Sequence, residues 1–157
     1  MTTAIGTSNG ASALAIQSDG KLVAAGSSYT GTQDVFALVR YNTDGSLDTT
    51  FNTTGIVTTA IGTVGGEAYA LAIQSNGKLV VAGTSYSGIP SAFTLVRYNP
   101  DGSLDPTFNT TGIVTTPIGT IADLAFALVI QANGKLVAAG SSDTGTQGEF
   151  ALVRYWP

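Results

Sequence analysis

Apolar positions along the chain fall in short paired blocks. The run Ala13-Leu-Ala-Ile16 leads into Gln17-Ser-Asp-Gly20, and Lys21 then opens a second run, Leu22-Val-Ala-Ala25, that closes on Gly26. Two such runs around Asp-Gly predict a β-hairpin, with a type I′ turn whose two central residues both take positive φ. The block returns at residues 70–83 and 127–140 with Asn76-Gly77 and Asn133-Gly134 at the turn. Neither run alternates with polar residues, and a strand needs apolar side chains on both faces only when its sheet is covered on both sides.

Gln17, Gln74 and Gln131 lie 57 residues apart, as do Arg40, Arg97 and Arg154, so three copies of one unit fill the chain. Each copy predicts four short strands; in the second they are A (69–74), B (78–85), C (92–98) and D (112–118). Strand D carries the pairs Thr58-Thr59 and Thr115-Thr116, which marks it as the wetter, outer strand. Four-stranded sheets at this interval, covered on both faces, predict an all-β protein: a β-propeller of antiparallel blades with A at the axis and D at the rim. A β-trefoil and a β-solenoid are the competing repeat architectures. The expected organisation is one domain over 1–157, with a lone outer strand at 1–6, blades at 7–62 and 63–119, and a third at 120–157 lacking its outer strand.

The consecutive motifs support a family assignment. The hairpin block 13–26, then Phe36-Ala-Leu-Val-Arg-Tyr-Asn-Thr-Asp-Gly-Ser-Leu-Asp48, then Phe51-Asn-Thr-Thr-Gly-Ile-Val57, together resemble the bacterial delta-60 repeat, a β-propeller family of unknown function. The resemblance covers nearly the whole chain. It implies propeller blades and carries no implication of a reaction.

Composition narrows the chemistry. Among 157 residues there are no cysteines and no histidines, which removes thiolate nucleophiles, disulfides and the commonest general base and metal ligand. Neither a metal nor another cofactor is expected. A net charge of −4 with six basic residues gives no footprint for phosphate backbones or an anionic bilayer, so neither nucleic acid nor membrane is an expected partner. All six basic residues occupy repeat positions, which points to structural work. Arg40 shares a strand face with Phe36 and Leu38 and needs a carboxylate, for which Asp44 and Asp48 are nearest. Residues 42–48 and 99–105 space their oxygens as a calcium loop does, but they lack its terminal Glu and are read as backbone turns. The terminal Trp156-Pro157 is expected to cap the last blade.

Copies differ most in the D–A segments (8–10, 64–67, 121–123) and the B–C segments (29–34, 86–91, 143–147), which strand direction places on one face. The candidate ligand residues there are Tyr29, Asp34, Glu67, Tyr86, Asp123 and Asp143. They suggest a non-catalytic binding or scaffold module taking a small molecule or glycan. The alternatives are a hydrolase or lyase using Asp34, Glu67, Asp123 and Asp143 at the axial mouth, and a structural or engineered repeat fragment without a ligand. Three blades are too few to close a ring, because propellers use about four to eight. Closure is therefore expected through a homodimer of six blades, residues 2–6 of one chain pairing with 150–155 of the other. A homotrimer of nine and a monomeric trefoil are the alternatives. At the turns, Gly77→Val is expected to do far more damage than Gly65→Val.

Overall fold

A computed structural model describes residues 1–156. Strands β1 (Ser8–Ile16), β2 (Leu22–Tyr29), β3 (Asp34–Tyr41) and β4 (Ile56–Thr59) pair in sequence as an antiparallel meander. Strands β5 (Gly65–Ile73), β6 (Leu79–Tyr86), β7 (Ala92–Tyr98) and β8 (Ile113–Thr116) repeat it. A third unit holds β9 (Ala122–Ile130), β10 (Leu136–Asp143) and β11 (Gly148–Tyr155) in the same order. The described residues contain no helix. A single parallel bridge, Asp34 to Gly65, links the first two units.

Apolar faces meet between the units. Phe36, Leu38, Val23 and Phe51 of the first unit pack with Leu79, Val81, Val96 and Tyr98 of the second. Phe93, Leu95, Val80 and Phe108 of the second pack likewise with Leu136, Ala138, Ala151 and Tyr155 of the third. Covering on both faces therefore holds for the middle unit, whereas each outer unit keeps one face open: Leu14 and Ile16 are exposed on the first, Phe150 and Leu152 on the third.

The hairpins form where expected, but their turns are not type I′. Pairing ends at Ile16–Leu22, Gly20 N–H bonds the Gln17 carbonyl, and Gln17 N–H bonds that of Lys21. Only the glycine takes positive φ (Gly20 84°, Gly77 81°, Gly134 83°). This is the three-residue loop in which an ordinary turn is followed by a left-handed glycine, and the Asp19 carboxylate, which accepts from Lys21 N–H, favours it.

At the opposite end the strands run further than expected. The variable segments 8–10, 65–67 and 122–123 lie within β1, β5 and β9. Gly65 (φ 140°) presses on Asp34, where an added Cβ would fall 2.8 Å from the carbonyl oxygen, while a Cβ at Gly77 would meet only Pro100 at 3.4 Å. The expected order of damage at these glycines is thereby reversed.

Arg40 is clamped by Asp48 rather than Asp44. Its Nε lies 2.7 Å from Asp48 Oδ2, Lys21 Nζ reaches the same oxygen at 2.8 Å, and its guanidinium stacks over Phe51 at 4.5 Å. Arg97, Asp105, Lys78 and Phe108 repeat the arrangement, at 2.6, 2.8 and 4.6 Å. Arg40 also donates to the Pro100 carbonyl at 2.6 Å, tying one unit to the next. Asp44, by contrast, accepts from Ser46 N–H and Oγ and so closes its own turn. Trp156 is exposed and lies under Lys135, whose Nζ is 3.7 Å from the ring centre; Pro157 lies outside the described residues.

Candidate functional site

Strands β1, β5 and β9 form one edge of each unit and converge on one another. Each is interrupted by a bulge. Ala11 pairs with Gly26 and Ala13 with Ala25, leaving Ser12 unpaired, and Tyr69 and Phe126 are the extra residues of the other two units. Glycine is obligatory opposite the bulge because a Cβ at Gly83 would fall 1.9 Å from the Glu67 carbonyl oxygen. A bulge re-aims the side chain it carries. Here it brings Tyr69 and Phe126 together, with ring centres 5.3 Å apart and planes inclined at 52°.

Around this aromatic pair the middle unit gathers a small polar cluster. The Tyr69 hydroxyl donates a short hydrogen bond to Glu67 Oε2, and the Tyr86 hydroxyl reaches the same oxygen at 3.5 Å. Burial, reinforced by the bond to Glu67, pushes the Tyr69 phenol far above its ordinary value. Burial and the charge of Glu67, with a smaller contribution from Asp34, raise Tyr86 as well. Both phenols stay protonated donors at neutral pH, facing one carboxylate.

Of the six expected residues, then, Glu67, Tyr86 and Asp34 gather on the middle unit and its border with the first. The other three are dispersed. Tyr29 is exposed on the first unit, where its hydroxyl donates to the Gly31 carbonyl at 3.0 Å. Asp123 is fully buried, accepting from Ile118 N–H at 2.7 Å and Gly119 N–H at 3.0 Å, while its carbonyl takes the Thr84 hydroxyl. Asp143 accepts from Gly145 N–H at 2.7 Å and closes its own turn. Asp123 thus fixes a turn from inside the protein, and its carboxylate does not reach an axial mouth.

Tyr69 and Phe126 lie outside the variable segments from which the candidate residues were drawn, because strand A was taken to begin at Tyr69. One signal was present. Within the repeated frame Ala-x-Ala, the copies read Ala11-Ser-Ala13, Ala68-Tyr-Ala70 and Ala125-Phe-Ala127, so the bulge position is the one that varies.

Antiparallel units of one kind, packed face to face with their first strands converging, define a β-propeller repeat protein. A family model described as a domain of unknown function (DUF5122) beta-propeller matches residues 17–51, 74–108 and 131–157, and the chain belongs to this family, the delta-60 repeat family its motifs resemble. No curated protein matches the chain.

Proposed function

We propose that this chain is a non-catalytic binding module, with the propeller units as scaffold and a ligand platform at the bulges of the converging strands. The observation that carries the proposal is the pairing of Tyr69 and Phe126, the side chains that vary where the surrounding frame does not. Aromatic faces beside a carboxylate and two phenolic donors suit a polyhydroxylated ligand such as an oligosaccharide. The apolar face of a sugar ring covers the aromatics while its hydroxyls bond Glu67 and Tyr86. A binding role is also favoured over acid–base chemistry by how the acids are used. Glu67 accepts hydrogen bonds from the phenols, and Asp123 and Asp143 hold turns, so three of the four candidate acids are already engaged by donors of the chain itself.

Calorimetric titration against a panel of mono- and oligosaccharides tests the proposal. Binding is expected to fall about tenfold or more on Tyr69→Ala, Phe126→Ala and Glu67→Gln, and to be unchanged by Tyr29→Ala. Absence of binding across the panel, or binding indifferent to all three substitutions, overturns it.

A further inference from the structure

The two open faces of the chain are the two halves of an interface it already uses twice internally. Between the first and second units, Val23, Ala25, Phe36 and Leu38 meet a wall containing Leu71, Ile73, Val81, Val96 and Tyr98. Moving the first set two repeats along the chain gives Val137, Ala139, Phe150 and Leu152 on the open side of the third unit. Moving the second set one repeat back gives Leu14, Ile16, Ala24, Val39 and Tyr41 on the open side of the first. The exposures show what is missing: Phe150 is 98 % exposed where its counterpart Phe36 is 0 %, and Leu14 and Ile16 are 66 % and 68 % exposed where Leu71 and Ile73 pack in the core.

A groove marks where the missing half fits. Residues 1–5 form no strand within the chain, yet they are held in place. Thr3 Oγ1 lies 2.7 Å from the Tyr41 hydroxyl, and Ser28 Oγ donates to the Ile5 carbonyl at 2.6 Å. The first of these contacts recurs at each internal interface, as Tyr98 to Thr59 at 2.7 Å and Tyr155 to Thr116 at 3.0 Å, and in both the threonine ends the outer strand of the preceding unit. Residues 2–5 therefore stand where the outer strand of a unit preceding β1 would stand. Under them lies a cavity of about 350 Å³ lined by Thr3, Ile5, Asn9, Gly10, Ala24 and Tyr41. In the internal copy of this space the Phe36 ring lies against Gly66, 3.3 Å from where its Cβ would be, and Gly66 is the counterpart of Asn9.

We propose that a second copy of this chain fills this groove, the third unit of each copy seating Phe150 beneath residues 2–5 of the other, so that two copies close one six-unit ring. The register follows from the internal pairs Phe36–Thr59 and Ala37–Thr58: Phe150 pairs with the partner's Thr3 and Ala151 with the partner's Thr2. That pairing also supplies β11 with a fourth strand. The second copy is the occupant to which the geometry points because knob and groove are both carried by one chain and their contact is a repetition of Phe36 in its own pocket. Two copies give six units, inside the range of about four to eight that propellers use, and three copies give nine, outside it. The contact joins different surfaces, yet the two-fold closes it and stops it propagating.

Light scattering coupled to gel filtration, on the 157-residue chain at about 50 μM, tests the ring. A mass twice 15.9 kDa is expected. Phe150→Asp is expected to give a mass of 15.9 kDa with an unchanged circular dichroism spectrum, since Phe150 touches little within its own copy. Ala24→Trp, which fills the groove from the other side, is expected to do the same, and Phe150→Leu to retain the dimer. A wild-type monomer, a trimer, an open-ended series of oligomers, or a dimer indifferent to both Phe150→Asp and Ala24→Trp each overturns the proposal.

Discussion

Asp105→Asn removes one negative charge from a site where two cations converge, and the structure sets the scale of the loss. Asp105 Oδ2 receives Arg97 Nε at 2.6 Å and Lys78 Nζ at 2.8 Å, while Oδ1 receives Thr107 N–H at 3.1 Å and its hydroxyl at 2.7 Å. An asparagine retains one oxygen. Its least costly orientation keeps that oxygen on the cations and turns the amide nitrogen toward Thr107, which sacrifices an acceptor for the Thr107 N–H. The larger loss is electrostatic, because Arg97 is buried and keeps its charge, while the half-buried Lys78 can swing toward water. Breaking a buried pair by removing one partner costs about 3–5 kcal/mol. At about 2–4 °C of melting temperature per kcal/mol for a domain of this size, the midpoint should fall by roughly 6–20 °C. Thermal and urea unfolding followed by circular dichroism at fixed protein concentration measure it. Replacing both partners, as Asp105→Asn with Arg97→Met, should recover part of the loss because no uncompensated guanidinium remains. A loss below about 1 kcal/mol for the single variant, or a double variant less stable than the sum of the two singles, refutes the clamp as a buried charge device.

The same clamps set an acid limit. Burial works to raise Asp48 and Asp105, but hydrogen bonds from Lys21 and Thr50, or Lys78 and Thr107, and the adjacent arginine hold both well below the usual carboxylate range. Their contribution is complete above the unfolded carboxylate value of about 4 and is lost as pH falls below it, so unfolding free energy measured from pH 6 to 2 should drop, and less steeply in Asp105→Asn. Gly65→Val should unfold at lower urea than Gly77→Val, since both strain a positive φ but only the former drives a Cβ into the Asp34 backbone; the opposite order contradicts the packing of β5 on β3. Tyr98→Phe should cost about 1 kcal/mol by stranding the buried Thr59 hydroxyl, and Tyr29→Phe, at an exposed bond, should stay within about 0.5 kcal/mol in the same denaturation assay.

Local and periodic features were legible in the chain itself. The 57-residue period, the hairpins, the apolar character of both strand faces and the family all follow from residues near one another in sequence, because turn chemistry and burial pattern are local signals. The carboxylate for Arg40 was narrowed to two neighbours, and tertiary packing chose Asp48 because only it also meets Lys21, 27 residues away. Packing likewise placed Asp123 in the interior, where its carboxylate holds backbone amides, although its position in a variable segment had suggested a surface role. The bulges were decided by the close approach of Gly26, Gly83 and Gly140 to the facing strand, a constraint between partners that neither run expresses alone. Through the bulges Tyr69 meets Phe126 of the next unit, so the candidate site is composed across 57 residues by the packing of one sheet on another.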